Sequence, residues 1–267
     1  MTRSTEDRIR KQQQSWAVER GITFNAKGYV YKLEDNLFEP LEEDARAEFA
    51  SGKGGELKGK MFALHSSSAL VCNFFHYWRY RDVPAVAISC GLSPNYDKLK
   101  FEKAYRKPQG IGGELPHVDI EFTSRTLKPI AVEAKFTEQY HRKRKSLKNA
   151  YVETAGIWGN YAGCESLAKL IVEEEEVFEY LDVSQLLKHI LGLKTEYGEQ
   201  GFELLYLWYE VDSDEALQHR REIKRFESFI GSDLFFRTRN YQEVFQVLKS
   251  HGRVHSRYMN YIGRRYF

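Results

Sequence analysis

Pro116-His117-Val118-Asp119-Ile120-Glu121-Phe122, followed after a polar turn by Ile130-Ala131-Val132-Glu133-Ala134-Lys135-Phe136, decides how this chain is read. Each half alternates apolar and polar residues with a period of two, the pattern of a half-buried strand. Val118, Ile120 and Phe122 share one face; His117, Asp119 and Glu121 share the other. In the second half Glu133 and Lys135 oppose Ile130, Val132, Ala134 and Phe136. The connector, residues 123–129, is rich in turn formers. Pairing the two strands antiparallel about Thr126 sets Asp119 across from Glu133 and His117 across from Lys135. Facing Cβ atoms on adjacent strands lie roughly 5 Å apart. Two carboxylates held that close repel unless a cation compensates. Oxygen donors of this kind suit Mg²⁺, which binds through one or two carboxylates and keeps several waters. The plainer alternative is a surface hairpin whose Glu133 and Lys135 form an exposed pair worth about 0–1 kcal/mol.

Working outward, His141-Arg142-Lys143-Arg144-Lys145-Ser146-Leu147-Lys148 is the densest basic run. It reads either as a solvated face or as phosphate contacts beside the acidic pair. Upstream, residues 91–116 are turn-rich, and Val83 to Cys90 is a short apolar run that reads as a buried strand. Ser66-Ser67-Ser68-Ala69-Leu70 suits a capped helix start, with Leu70, Phe74, Tyr77 and Trp78 on one stripe. Ser66, Ser67 and Asn73 are candidates to line a site. Downstream, Val183 to Leu193 is an amphipathic helix that Gly192 could close, and Phe202 to Tyr209 is a central strand. Residues 213–230 form a charged helix with Leu217, Ile223 and Phe226 inward. Helices follow from Tyr241 and over the aromatic-basic tail, Tyr258 to Phe267. Residues 1–50 read as a helical and extended arm packed on a core of residues 51–267, with no sharp boundary between them.

Several chemistries are disfavoured. Gly52-Lys53-Gly54-Gly55 lacks the Gly-Lys-Ser/Thr of a phosphate loop. His65-Ser66 has no nucleophile elbow around it. His251 and His255 have no further ligands near them for zinc. The three cysteines, Cys72, Cys90 and Cys164, form no CxxC pair and read as reduced thiols of a cytoplasmic protein. No run of about 18 apolar residues marks a membrane span. A net charge of +2 over 267 residues, with 29% charged and 42% apolar content, is that of an ordinary globular chain.

The spacing Asp119-x13-Glu133-Ala134-Lys135, entered through Pro116, resembles the signature of the PD-(D/E)xK nuclease superfamily. Val132 to Tyr140 is similar to the Ile-Glu-x-Lys-Tyr-Thr-Glu phrase of bacterial members. The Ser-Ser-x-Ala-Leu-x-x-Asn helix and the terminal Tyr-x-x-x-Arg-Tyr are similar too, so the likeness spans roughly residues 56–267. It implies an α/β restriction-endonuclease-like fold, an αβββαβ core with a mixed sheet flanked by helices. It also implies a Mg²⁺-dependent endonuclease, Mn²⁺ substituting, acting on DNA in restriction or repair. Asp119 and Glu133 would hold the metal with the Ala134 carbonyl, and Lys135 would complete the catalytic set. The superfamily often adds an acid from its first core helix; Glu56 and Glu48 are the candidates. Glu121 shares the acidic face. Gln139, Arg142, Lys143, Arg144 and Lys145 are candidate DNA contacts. Cutting both strands of a duplex calls for two active sites, which a homodimer would supply. The alternative is a catalytically inactive nucleic-acid-binding or structural module on the same fold.

Overall fold

The computed structural model describes residues 4–52, 54–144, 146–251 and 254–267. The strands are β1 (Lys98–Ala104), β2 (His117–Thr123), β3 (Ile130–Lys135), β4 (Glu203–Trp208) and β5 (Phe235–Asn240). Among the described residues they form one sheet in the order β1-β2-β3-β4-β5. β1, β2 and β3 run antiparallel as a meander, and β4 and β5 join in parallel. Parallel neighbours need crossovers, and helices supply them. The helices are α1 (Thr5–Glu19), α2 (Glu43–Ser51), α3 (Ser67–Val71), α4 (Tyr77–Arg79), α5 (Val83–Ser89), α6 (Ala150–Glu153), α7 (Ala162–Val172), α8 (Val183–Tyr197), α9 (Asp214–Ile230), α10 (Tyr241–Leu248) and α11 (Ser256–Tyr266). Helices α6 to α8 connect β3 to β4, and α9 connects β4 to β5. This is the mixed α/β architecture of a restriction-endonuclease-like core. Among the described residues, no helix is long and apolar enough to cross a membrane.

The hairpin register is the one centred on Thr126: Ile120 pairs with Val132, Glu121 with Ala131 and Phe122 with Ile130. The two faces of the sheet are covered differently. On one, Phe122 meets Phe75 at 6.2 Å and Phe136 meets Tyr266 at 5.7 Å, so the α3–α4 segment and α11 cover it. On the other, Glu121 accepts a hydrogen bond from Tyr197 of α8, which covers the polar side. Between α3 and α4, Cys72–His76 runs as π-helix. Its interruption of the helical ladder coincides with buried Asn73, which donates to Asn36 O at 2.9 Å and to the Tyr266 hydroxyl at 3.0 Å.

The N-terminal segment is tied to the C-terminus. Gln13 of α1 donates to Arg265 O at 2.8 Å, and the buried Arg265 guanidinium donates to Asn36 O at 2.7 Å. The same guanidinium lies 4.3 Å from the Trp16 ring centroid. A buried cation needs such partners, because unpaired polar groups are costly away from water. This latch fixes α1 so that Glu6 and Arg10 form part of the wall of the main cleft.

The structure differs from the sequence reading at several elements. Val83–Ser89 is a helix, α5, not a strand. Asp82 caps it by accepting from Ala85 N at 3.0 Å, and Pro84 occupies the first turn, where its missing N–H costs nothing. β1 lies inside the stretch read as turns, and β5 follows α9 unannounced. Gly192 does not end α8; the helix runs on to Tyr197, with Gly198 at φ +78° after it. Gly192 has another reason to lack a side chain: a Cβ there would stand 2.5 Å from Pro116 Cγ. Leu217 is exposed, whereas Ile223, Phe226 and Ile230 carry the inner stripe of α9.

Candidate active site

A cleft of about 900 Å³ opens at the end of the hairpin where Asp119, Glu133, Ala134 and Lys135 lie. The β2–β3 ladder ends at Ile120–Val132. The same register continued sets Asp119 opposite Glu133. There the side chain takes over from the backbone: Asp119 Oδ2 accepts from Ala134 N–H at 2.7 Å. That bond fixes one acid against the backbone between the other acid and the lysine. Glu133 is 2% exposed, because β3 is a central strand flanked by β2 and β4.

Lys135 Nζ donates to Glu133 Oε1 and, at 2.9 Å, to Gln185 Oε1 on α8. One turn on from Gln185, His189 Nδ1 stands 3.1 Å from Glu133 Oε2. Helix spacing of three to four residues puts Gln185 and His189 on one face toward the cleft. Burial alone would raise the Glu133 pKa; the neighbouring Lys135 and His189 outweigh it and hold the carboxyl down at about 2. Burial would equally neutralise Lys135, yet the carboxylates of Glu133 and Asp119 raise it above the ordinary amine range, so it stays an ammonium. Asp119 has burial and the Glu133 charge against it and is raised well above the usual carboxylate range.

A fourth acid was not legible in the sequence. Glu102 is on β1, between Phe101, which pairs with Ile120, and Lys103, which pairs with Val118; that register places it opposite Asp119. Its φ is +49°, a conformation most residues avoid. Burial and the charges of Glu56 and Glu133 raise its carboxyl to about 7. Glu56, 6% exposed, also lines the cleft, accepting from Ser68 and pairing with Lys60 at 3.2 Å. Gly52 and Gly54 leave room for these two acids: a Cβ on Gly52 would stand 2.8 Å from Glu102 Oε2, and one on Gly54 would overlap Glu56 Oε1. Ser66 and Ser67 line the cleft as expected; Asn73 does not, being spent on the α3–α11 packing. His117 also lines it, its Nδ1 3.3 Å from Glu102 O.

Other candidates fall elsewhere. Gln139 is no surface contact: it is 1% exposed, and its Nε2 donates to Phe136 O at 3.0 Å and Tyr209 O at 2.9 Å. It pins the turn after β3 to the end of β4. Arg142 lies outside the cleft and is paired with Glu179 at 2.7 Å, and Arg144 is paired with Glu174 at 3.0 Å. Lys143 is exposed outside the cleft as well. Arg142 and Arg144 therefore balance acids of the α7–α8 connection. Lys145 lies outside the described residues. Glu48 pairs with Arg79 and accepts from Phe101 N at 2.8 Å, a structural tie between α2 and β1. Glu121 accepts from the Tyr105 hydroxyl at 2.8 Å as well as from Tyr197 and is 3% exposed, so it belongs to the packing under α8.

Among known proteins, the family model described as Restriction Endonuclease associating with ARP matches residues 9–267. Neither a curated protein nor a solved structure matches the chain.

Proposed function

The chain belongs to the family of restriction endonucleases associating with ARP, and from that premise we propose that it is a metal-dependent endonuclease hydrolysing phosphodiester bonds of DNA. The observation that carries this reading is the convergence of Asp119, Glu133 and Lys135 in one cleft, tied together through Ala134 N–H and Gln185.

Among the described residues, no three His, Cys, Asp or Glu side chains stand together as a ready-made metal cage. Mg²⁺ does not require one, because it is commonly held by one or two carboxylates and its own waters. The donor set fits it: hard oxygens of Asp119 and Glu133, with the Ala134 carbonyl beside them. Burial first, and neighbouring carboxylates second, raise Asp119 and Glu102, so a cation bound beside them would be compensated by charge already in place. Glu56 and Glu102 add their charge to the same space. Mg²⁺ or Mn²⁺ bound there would polarise the phosphoryl oxygen and lower the pKa of a bound water.

The chain's own residues do the rest. Lys135, kept cationic by its two acids, cannot act as a base near neutrality; it offsets charge that grows on the phosphoryl oxygens or holds the attacking water by donating to it. Gln185 fixes the ammonium from the α8 side, leaving its remaining proton for the substrate. Asp119 is held by a backbone N–H rather than by a mobile partner, which costs no reorganisation during the reaction. A homodimer would bring two such clefts to opposite strands.

Incubating the protein with supercoiled plasmid tests the reading. Nicking or linearisation is expected with Mg²⁺ or Mn²⁺, not with EDTA, and not in Lys135→Ala. Mg²⁺-dependent cleavage retained by a folded Lys135→Ala protein would overturn the assignment. DNA binding without cleavage by the unsubstituted protein would leave a binding module in its place.

A further inference from the structure

Three of the six lysines and arginines lining the cleft are already neutralised. Arg10 pairs with Glu6 at 2.6 Å, Lys60 with Glu56 at 3.2 Å, and Lys135 with Glu133. Three lysines lining the same cleft differ: Lys107, Lys148 and Lys188 have no carboxylate partner among the described residues. Lys188 projects from α8 beside His189 and one turn from Gln185, so it shares the helix face that meets Lys135. It is half-buried. Lys148 is exposed, its ammonium 4.0 Å from where a Cβ of Gly113 would stand. Lys107 donates to the Gly113 carbonyl, a neutral partner that leaves its charge uncancelled. Two ammoniums thus gather around one glycine. Gly113 has φ +99° and is itself exposed. Glu114 next to it is exposed and makes no ion pair among the described residues.

A polyanion entering this cleft meets the carboxylates around the hairpin end, Glu56, Glu102, Asp119 and Glu133, besides Glu6, Glu114 and Glu138 elsewhere in the lining. Balanced pairs such as Arg142–Glu179 cannot draw it in, since a phosphate would have to displace an acid already in place. Unbalanced ammoniums can. We propose that Lys107, Lys148 and Lys188 form a phosphate-binding track that seats the substrate strand's backbone next to the bond to be cut. For its substrate this inference rests on the nuclease reading. Ammoniums act as point charges toward non-bridging phosphate oxygens, so the track holds a strand without reading its sequence.

The test is fluorescence anisotropy of a labelled DNA duplex in EDTA, titrated with salt, on the full chain. For each phosphate contact removed, the slope of log affinity against log salt should fall by about 0.9. Lys148→Ala and Lys188→Ala should each flatten the slope by about that amount and weaken binding several-fold at low salt. Lys107→Ala should do the same. Lys→Arg at each position should restore the slope, a readout that lost packing would not give. Arg142→Ala/Arg144→Ala should keep the unsubstituted slope. An unchanged slope in the folded triple variant, or no DNA binding by the unsubstituted protein, overturns the track. The nuclease reading fails separately: a track that behaves as expected in a protein that never cleaves plasmid with Mg²⁺ or Mn²⁺ leaves the inference standing and removes the hydrolase.

Discussion

Replacing Asp119 by asparagine separates the stability of the site from its use. The amide keeps an oxygen to accept from Ala134 N–H, now at 2.7 Å, and keeps the side-chain volume. What it removes is a charge facing Glu133. Facing positions are about 5 Å apart, and two unit charges at that distance repel by about 3 kcal/mol at an effective dielectric near 20. Lys135 already offsets part of this, so a net gain of about 1–2 kcal/mol is expected. For a chain of this size that is a rise in melting temperature of roughly 2–8 °C. The sign also fixes the pH dependence. A carboxyl whose folded pKa is raised costs stability once pH climbs above its unfolded value, because the native state then holds the extra proton. The Asp119→Asn advantage should therefore be small near pH 4 and grow toward neutrality. Thermal melts of both proteins in EDTA across that range measure it; Mg²⁺ should then stabilise the unsubstituted protein and much less the variant. Cleavage should be lost. A melting temperature that is unchanged or lower near neutrality, with Mg²⁺ stabilising both proteins equally, would refute the claim that Asp119 is a repelled, cation-seeking acid.

Gln139→Ala should lower stability by about 1–3 kcal/mol in urea unfolding, since it takes the side-chain donor from the Phe136 carbonyl and leaves Tyr209 O with the Tyr140 hydroxyl alone, while DNA affinity of the folded fraction stays unchanged. His219, buried with Tyr206 O–H at 2.9 Å, has its pKa pushed down to about 3 by burial and, secondarily, by Lys135. The unfolded chain therefore takes up this proton first on acidification, and stability is lost as pH falls from about 6.5 toward 3. His219→Phe should flatten that acid limb in urea unfolding measured at several pH values. Gly192→Ala should destabilise by about 1–3 kcal/mol, because the new Cβ meets Pro116 Cγ and Tyr105 Cβ at 2.5 and 3.1 Å. Calorimetry would report the loss, and cleavage should weaken further as α8 withdraws Gln185 from Lys135.

The hairpin was legible because period-two alternation and a turn at its centre leave one register that keeps Val118, Ile120 and Phe122 inside. β4 was legible from its unbroken apolar run. α5 was not, because a short apolar run fits a buried strand or a buried helix equally well. The deciding signals were local: Asp82 as cap and Pro84 behind it. β1 and β5 were missed for a shared reason. Both are edge strands, and edges carry charge that blunts pairing with other chains. Lys98, Lys100 and Lys103 in one, and Arg237 and Arg239 in the other, read as loop or solvated face rather than as alternation around Leu99, Phe101 and Phe236.

Missing β1 is what hid Glu102. Once Leu99 and Phe101 are recognised as the inner face of a strand antiparallel to β2, the register that pairs Phe101 with Ile120 sets Glu102 against Asp119. The information was therefore in the chain, but behind an element whose own signal was masked by lysines. Arg142 and Arg144 of the basic run lie away from the cleft for a different reason. Charge density is a property of sequence, whereas uncompensated charge is a property of the fold. Arg142 and Arg144 stand in the densest run and are cancelled by Glu179 and Glu174. Lys107 and Lys188 stand far apart in sequence, and the turn before β2 and helix α8 bring them to the same acidic cleft with no ion-pair partner among the described residues. Where a phosphate chain would lie is decided by that residue of charge left after pairing, which the order of amino acids alone does not display.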